Sequence, residues 1–280
     1  MRSLNSLLSC VLFPIIKPDF KQLEQHLQHK TIIITGASYG IGEALCHCLA
    51  DINCQLILLA RTESKLQQIQ QLLINRKAQI EIFPIDLRDR VQLDRFINHI
   101  QHKPIDILIN NAGISICRPI MHSLQREHDF ERTMQLNYFA PVRLCLALIP
   151  TLQQTQGQII NVSAINVLLA PTVNWAAYQA SKTAFDQWLR CASAELENQH
   201  IRVATAYLPL VKTRMIEPTR LYKQLPALRP QQAANIICRL LLKGKRQYKP
   251  WWTLAVQLIS VLFNGIWLKM NYYYVKRKQC

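Results

Sequence analysis

The chain is poor in glycine, with seven in 280 residues, well under half the usual share of ~7%. Glycine this sparse excludes flexible Gly-rich linkers, and no low-complexity tract or repeat of solenoid period is present. Acidic residues are also few, 17 against 33 Lys and Arg. Nine cysteines occur, yet none forms a CxxC pair and no His/Cys cluster has zinc-ligand spacing, so no metal site is expected. They read as small buried hydrophobes in a reducing compartment. What the chain does have is apolar residues, 50% of the total, enough to fill a sizeable core.

The positive charge is uneven. From Lys212 to Cys280 there are fourteen Lys/Arg and one acid, Glu217, a net of +13 out of +16. A basic face confined to the last quarter needs a local partner: anionic lipid or a phosphate-rich substrate. No nucleic-acid motif accompanies it, so no nucleic-acid partner is expected.

Residues 1–29 form an apolar N-terminal arm, with "SLNSLLSCVLFPII" at 3–16 interrupted by Pro14. No small-residue cleavage site follows, so the arm is expected to stay on the protein and dock or associate with a membrane. From residue 31 a rhythm begins. Short apolar, β-rich runs at 31–35, 54–60, 78–86, 105–110, 157–163 and 201–208 alternate with helical patterns at 41–51, 62–75, 89–101 and 123–154, and around Tyr178. Strands apolar on both faces, separated by helices, predict an α/β, Rossmann-like, doubly wound parallel sheet with helices on both faces. Its domain spans 30–249.

The first strand runs into "TGASYGIG", which holds Gly36, Gly40 and Gly42, three of the seven glycines. Glycines there let backbone approach a pyrophosphate, and the helix starting near Ile41 aims its amides at the anion. At the end of the second strand, where an acid would hold the ribose 2′-OH of NAD, stands Arg61. Arginine suits a 2′-phosphate and disfavours a helix N-terminus otherwise, which points to NADP(H).

In "AAYQASKTAFDQ" (Ala176–Gln187), Tyr178 and Lys182 lie one helical turn apart. Spacing alone only puts them on a shared face. Together with TGxxxGxG and with "NNAG" (Asn110–Gly113) after the fourth strand, however, YxxxK resembles the signature set of the short-chain dehydrogenases/reductases over roughly 30–245. The resemblance implies a hydride-transferring oxidoreductase with Tyr178 as general acid/base. It implies that Lys182 holds the nicotinamide ribose and lowers the phenol pKa, and that Asn137 positions a water beside it. It also implies cofactor contacts from Thr35, Gly36, Ser38, Tyr39, Gly40, Ile41, Gly42, Arg61, Asp86, Leu87, Asn111, Ala112, Gly113, Tyr178, Lys182, Pro209, Val211 and Thr213.

Two family features depart, one being Leu210 where the family has a glycine after Pro209. The substrate-oxygen serine falls at Ala164 by strand alignment, leaving Ser163 through a shifted loop, Asn166 as a replacement, or no donor. The stretch "LPLVKTRMIEPTRLYKQLPALRPQQAA" (208–234), which contains the substrate lid at about 210–232, resembles the bacterial fatty acyl-CoA reductase branch. That implies a lipophilic, acyl-CoA-like substrate. Ketone or alcohol chemistry on a lipid or sterol-like molecule, and a dinucleotide-binding protein without turnover, are the alternatives.

The tail, 250–280, contains "WWTLAVQLISVLFNGIWL" (251–268), which is free of charge. Thr253, Gln257, Ser260 and Asn264 fall on one helical stripe, and tryptophans mark the ends. Basic residues flank both sides. An in-plane helix on an anionic membrane surface is expected, with a single span as second choice. The remaining choice packs it on the protein's own core or on a second subunit of a homo-oligomer. The expected location is the cytoplasmic side of a membrane.

Overall fold

Alternation along each strand builds two cores. Ile32 and Ile34 of the first strand pack into one, while Ile33 points into the other. The computed structural model describes residues 12–217, 222, 225–242 and 244–279. The arm's 1–11 and lid residues 218–221 and 223–224 lie outside the described residues.

Seven parallel strands form one sheet: β1 Thr31–Thr35, β2 Gln55–Ala60, β3 Gln79–Pro84, β4 Ile107–Asn110, β5 Gln158–Ala164, β6 Arg202–Leu208 and β7 Gln247–Tyr248. Their order is β3-β2-β1-β4-β5-β6-β7. The direction of winding reverses between β1 and β4, and in such sheets ligands bind at that crevice, beyond the strand C-termini. The helices are α1 Phe20–Leu27, α2 Gly40–Leu49, α3 Glu63–Leu72, α4 Arg90–Ile100, α5 Glu127–Met134, α6 Ala140–Gln154, α7 Ala176–Asn198, α8 Pro230–Leu241, α9 Thr253–Leu262 and α10 Asn264–Gln279. Buried residues of α1, α2, α3 and α8 fill the core with Ile32 and Ile34. Those of α4, α6 and α7 fill the core with Ile33.

Three elements differ from the sequence expectation. The helical stretch 123–154 starts later, at Glu127, and carries a π-turn, Gln135–Phe139, between α5 and α6. Pro141 stands just beyond it, and the amide it lacks would have bonded the carbonyl of Asn137. The arm is not uniformly apolar. Asp19 caps α1 by accepting from the amides of Lys21 and Gln22, and Leu23 and Leu27 enter the core. Finally, 251–268 is two helices, α9 and α10, bent by 91°. The break falls at Phe263, just before the turn-prone pair Asn264–Gly265. Among the described residues no single helix is long and apolar enough to cross a membrane.

Candidate active site

At the crevice, the loop between β1 and α2 turns at Gly36 (φ +68°) and Gly40 (φ +62°), a region costly for side-chain-bearing residues. Space is closed as well. A Cβ on Gly40 would sit 2.8 Å from Cγ2 of Thr213, and one on Gly42 would sit 2.2 Å from the carbonyl oxygen of Gly36. Tyr39 precedes α2 without a side-chain cap, so the first-turn amides of α2 have no capping side chain. The loop is braced from behind. Thr35 Oγ1 accepts the amides of Asn111 and Ala112, each at 2.9 Å, and donates to the carbonyl of Ile109. Asn111 Nδ2 donates to the carbonyls of Thr35 and Gly36. Thr35 and Gly42 therefore support the loop rather than line the space before it.

That space is a cleft of about 590 Å³, within the usual size for a small-molecule or cofactor site. Gly36, Ser38, Tyr39, Gly40, Ile41, Arg61, Asp86, Leu87, Asn111, Ala112 and Gly113 all line it. So do Ser163, Tyr178, Lys182, Pro209, Val211 and Thr213. Most of the residues singled out from the sequence thus converge on one site. Arg61 is exposed at its edge, while Arg214 lies over the Tyr39 ring at 4.2 Å. Asp86 is engaged by Arg88 through Nε at 3.0 Å and Nη2 at 2.6 Å. Against the burial that pushes it up, these bonds hold its carboxyl below the usual carboxylate range.

Tyr178 and Lys182 extend from α7. Burial pushes the Tyr178 phenol up to about 12. The Lys182 ammonium donates to the carbonyl of Val162 at 3.2 Å. Lys182 is only 7% exposed. Burial lowers its pKa to about 8, with Asp186 one turn on pushing it back up. Asn137, in the π-turn, exchanges two 2.9 Å hydrogen bonds with the backbone of Ile114 and donates a third to Ser181 Oγ. Behind the cleft, Asn110, Asn137, Asn161 and Lys182 share a cavity of about 10 Å³, close to what one water requires. The buried Nδ2 of Asn161 has no protein partner among the described residues.

Sequence reasoning missed Asn161 and Asp186. Each is a polar residue at an otherwise apolar position of a strand or helix, which was the only signal available. It also left the substrate-oxygen donor open. Strand alternation puts Ser163 on the face of Asn161, whereas Val162 joins the opposite core. Ser163 is 4% exposed and its Oγ has no partner among the described residues, as is true of Asn166 Oδ1. The other end of the cleft is apolar, with Ile165, Met215, Ile216 and Leu225 beside Trp175 and Tyr222, whose rings are 5.6 Å apart.

The family model described as short chain dehydrogenase matches residues 30–224. The chain belongs to that family. Short-chain dehydrogenases are nicotinamide-dependent oxidoreductases, and the Gly36–Gly42 loop and cleft fit such a cofactor. A fatty acyl-CoA reductase of Acinetobacter baylyi is 43% identical over 226 residues, covering 80% of this chain and 76% of the relative. A fatty acyl-CoA reductase of Mycobacterium tuberculosis is 39% identical over 75% of this chain and 72% of the relative. A short-chain dehydrogenase from Sphingobium yanoikuyae, solved in complex with NADPH, superposes with a TM-score of 0.74 at 23% identity, covering 86% of this chain and 96% of the other.

Proposed function

We propose that the chain is an NADPH-dependent reductase of fatty acyl thioesters. The observation that carries this reading is one cleft that joins a glycine-turned anion cradle and Arg61 to a largely apolar stretch lined by Ile165, Trp175, Met215, Ile216 and Leu225, with Tyr178 and Lys182 lining the same space. The acyl-CoA reductase relatives support the substrate class. The solved relative with NADPH, together with Arg61, supports the choice of cofactor.

When bound, the nicotinamide supplies the hydride that reaches the thioester carbonyl carbon. The loop amides before α2 bind the pyrophosphate, and Arg61 pairs with the 2′-phosphate. The Lys182 ammonium holds the nicotinamide ribose. The Tyr178 phenol, neutral at pH 7 because burial holds its proton, gives that proton to the carbonyl oxygen as negative charge develops there. Ser163 Oγ donates to the same oxygen. When the resulting hemithioacetal collapses, its hydroxyl proton returns to Tyr178. The C–S bond breaks to release an aldehyde, and the departing thiolate takes a proton from solvent. Asn137, Asn161 and Lys182 line the small cavity behind the cleft, which has room for about one water.

NADPH oxidation with palmitoyl-CoA tests this. Tyr178→Phe is expected to lower kcat by more than about a hundredfold while NADPH binding stays within a few fold. Ser163→Ala should lower kcat by about 10²-fold. Turnover of ketones but of no acyl thioester would replace the substrate class. Unchanged kcat in Tyr178→Phe would remove the acid role.

A further inference from the structure

The tail is built inside out. In α9 the polar stripe faces the protein, with Thr253 fully buried and Ser260 at 4% exposure. The opposite face holds Leu254, Leu258, Val261 and Leu262, the last two 70% and 75% exposed. A helix covered by water would be turned the other way. Beyond the bend the apolar surface continues through Phe263, Ile266 and Leu268, each more than half exposed. A contiguous apolar surface of this kind marks an interaction site rather than a solvated face.

The charge around it is of one sign. Lys249 precedes α9, and Lys269, Lys276 and Arg277 lie along α10, all exposed. No acid lies between Lys249 and Cys280. We infer that α9 and α10 form a docking surface for an anionic lipid bilayer, with the outer face of α9 inserted among the acyl chains and the flanking cations on the headgroups. Apolar insertion and attraction to anionic lipid then act together. The 91° bend suits a helix pair that lies at an interface, since neither helix alone meets the length of a span.

The surface is fixed close to the cleft. Trp267 Nε1 donates to the carbonyl of Pro171 at 2.7 Å, and Asn271 Nδ2 donates to the same oxygen at 3.0 Å. Pro171 precedes Thr172, which lines the cleft. At the other end, Trp252 Nε1 donates to the carbonyl of Leu12, and its ring lies 6.5 Å from that of Phe13 in the core. Docking therefore sets the cleft edge against the lipid, where a long acyl chain is dissolved. The docking itself does not depend on which reaction the cleft performs.

Vesicle flotation of the full chain tests the inference, with palmitoyl-oleoyl phosphatidylcholine alone or with 30% phosphatidylglycerol. The chain should float with the anionic vesicles and at least about tenfold less with neutral ones. Lys276→Glu with Arg277→Glu should weaken binding by about tenfold or more. Leu258→Asp with Leu262→Asp should abolish it. These side chains are exposed, so each variant should keep wild-type Tm and NADPH binding, which separates docking from folding and from the reductase reading. Equal flotation with neutral vesicles, or no flotation, would overturn the inference. So would a wild-type dimer by light scattering that Leu258→Asp dissociates, which would make the face a contact between copies of the chain.

Discussion

Asp186 is a buried carboxylate, 3% exposed, on the same helical face as Lys182. Burial pushes its carboxyl up, while the hydroxyl of Tyr207, donating at 3.3 Å, and the charges of Arg190 and Lys182 pull it down. Its relevance to the site is through Lys182, which makes it a positioning residue. The lysine's folded pKa of about 8 means that the ammonium is present below that pH and is lost as pH rises through it. Reduction that depends on the ammonium should therefore fall on an alkaline limb near pH 8. Asp186→Asn keeps the shape of the side chain and removes the upward push, leaving burial unopposed. The alkaline limb of kcat/KM should move to lower pH, with Tm changed little. A limb that stays put, or moves up, would show that Asp186 only fills space.

The β2–α3 junction carries the cofactor choice at the scale of an element. β2 ends at Ala60, Arg61 follows at the cleft edge, and Thr62 leads into α3 without a side-chain cap. A cation there opposes the helix dipole unless an anion meets it. Arg61→Asp removes a charge-assisted partner and adds repulsion, so the ratio of kcat/KM for NADPH over NADH should fall by about 10²-fold. An unchanged ratio would assign the 2′-phosphate to another cation, such as Arg214, the other arginine lining the cleft. Elements of this kind were legible in the sequence because their signals are local. β1 and β2 are built on unbroken apolar runs, 32–34 and 56–60, and the glycines concentrate in the one loop that needs them. The two-residue β7, the π-turn and α1 were not legible. β7 is Gln247–Tyr248 in a basic stretch, the π-turn hinges on an amide that Pro141 lacks, and α1 buries only Leu23 and Leu27. Within the site, Tyr178 and Lys182 stood out by spacing. Asn161 and Asp186 gain their meaning from burial against other elements, which no local pattern carries. The stripe Thr253–Gln257–Ser260 was visible too, but periodicity cannot tell which side of a helix meets the protein.

At the scale of the whole molecule, the sheet with its two cores and the tail are joined by few contacts. The cores hold β1 to β6 with α1 to α4 and α6 to α8, and every loop that shapes the cleft lies before α9. What the tail gives to the core is Trp252, packed beside Phe13. Among the described residues its attachment also includes the buried polar stripe of α9 and the two bonds to Pro171. Thr253 Oγ1 is buried there without a partner among the described residues, an arrangement that adds little stability and can subtract some. A chain ending at Trp252 keeps the Phe13 contact and loses the exposed apolar surface. Its NADPH affinity should therefore stay within a few fold of wild type, and its Tm should shift by no more than about 2–4 °C. It should also fail to float with the anionic vesicles that carry the full chain. Equilibrium dialysis and a thermal melt on the two proteins decide this. Loss of NADPH binding, or a truncated chain that precipitates, would mean that α9 and α10 belong to the folding unit and that their outer face completes it through a second copy.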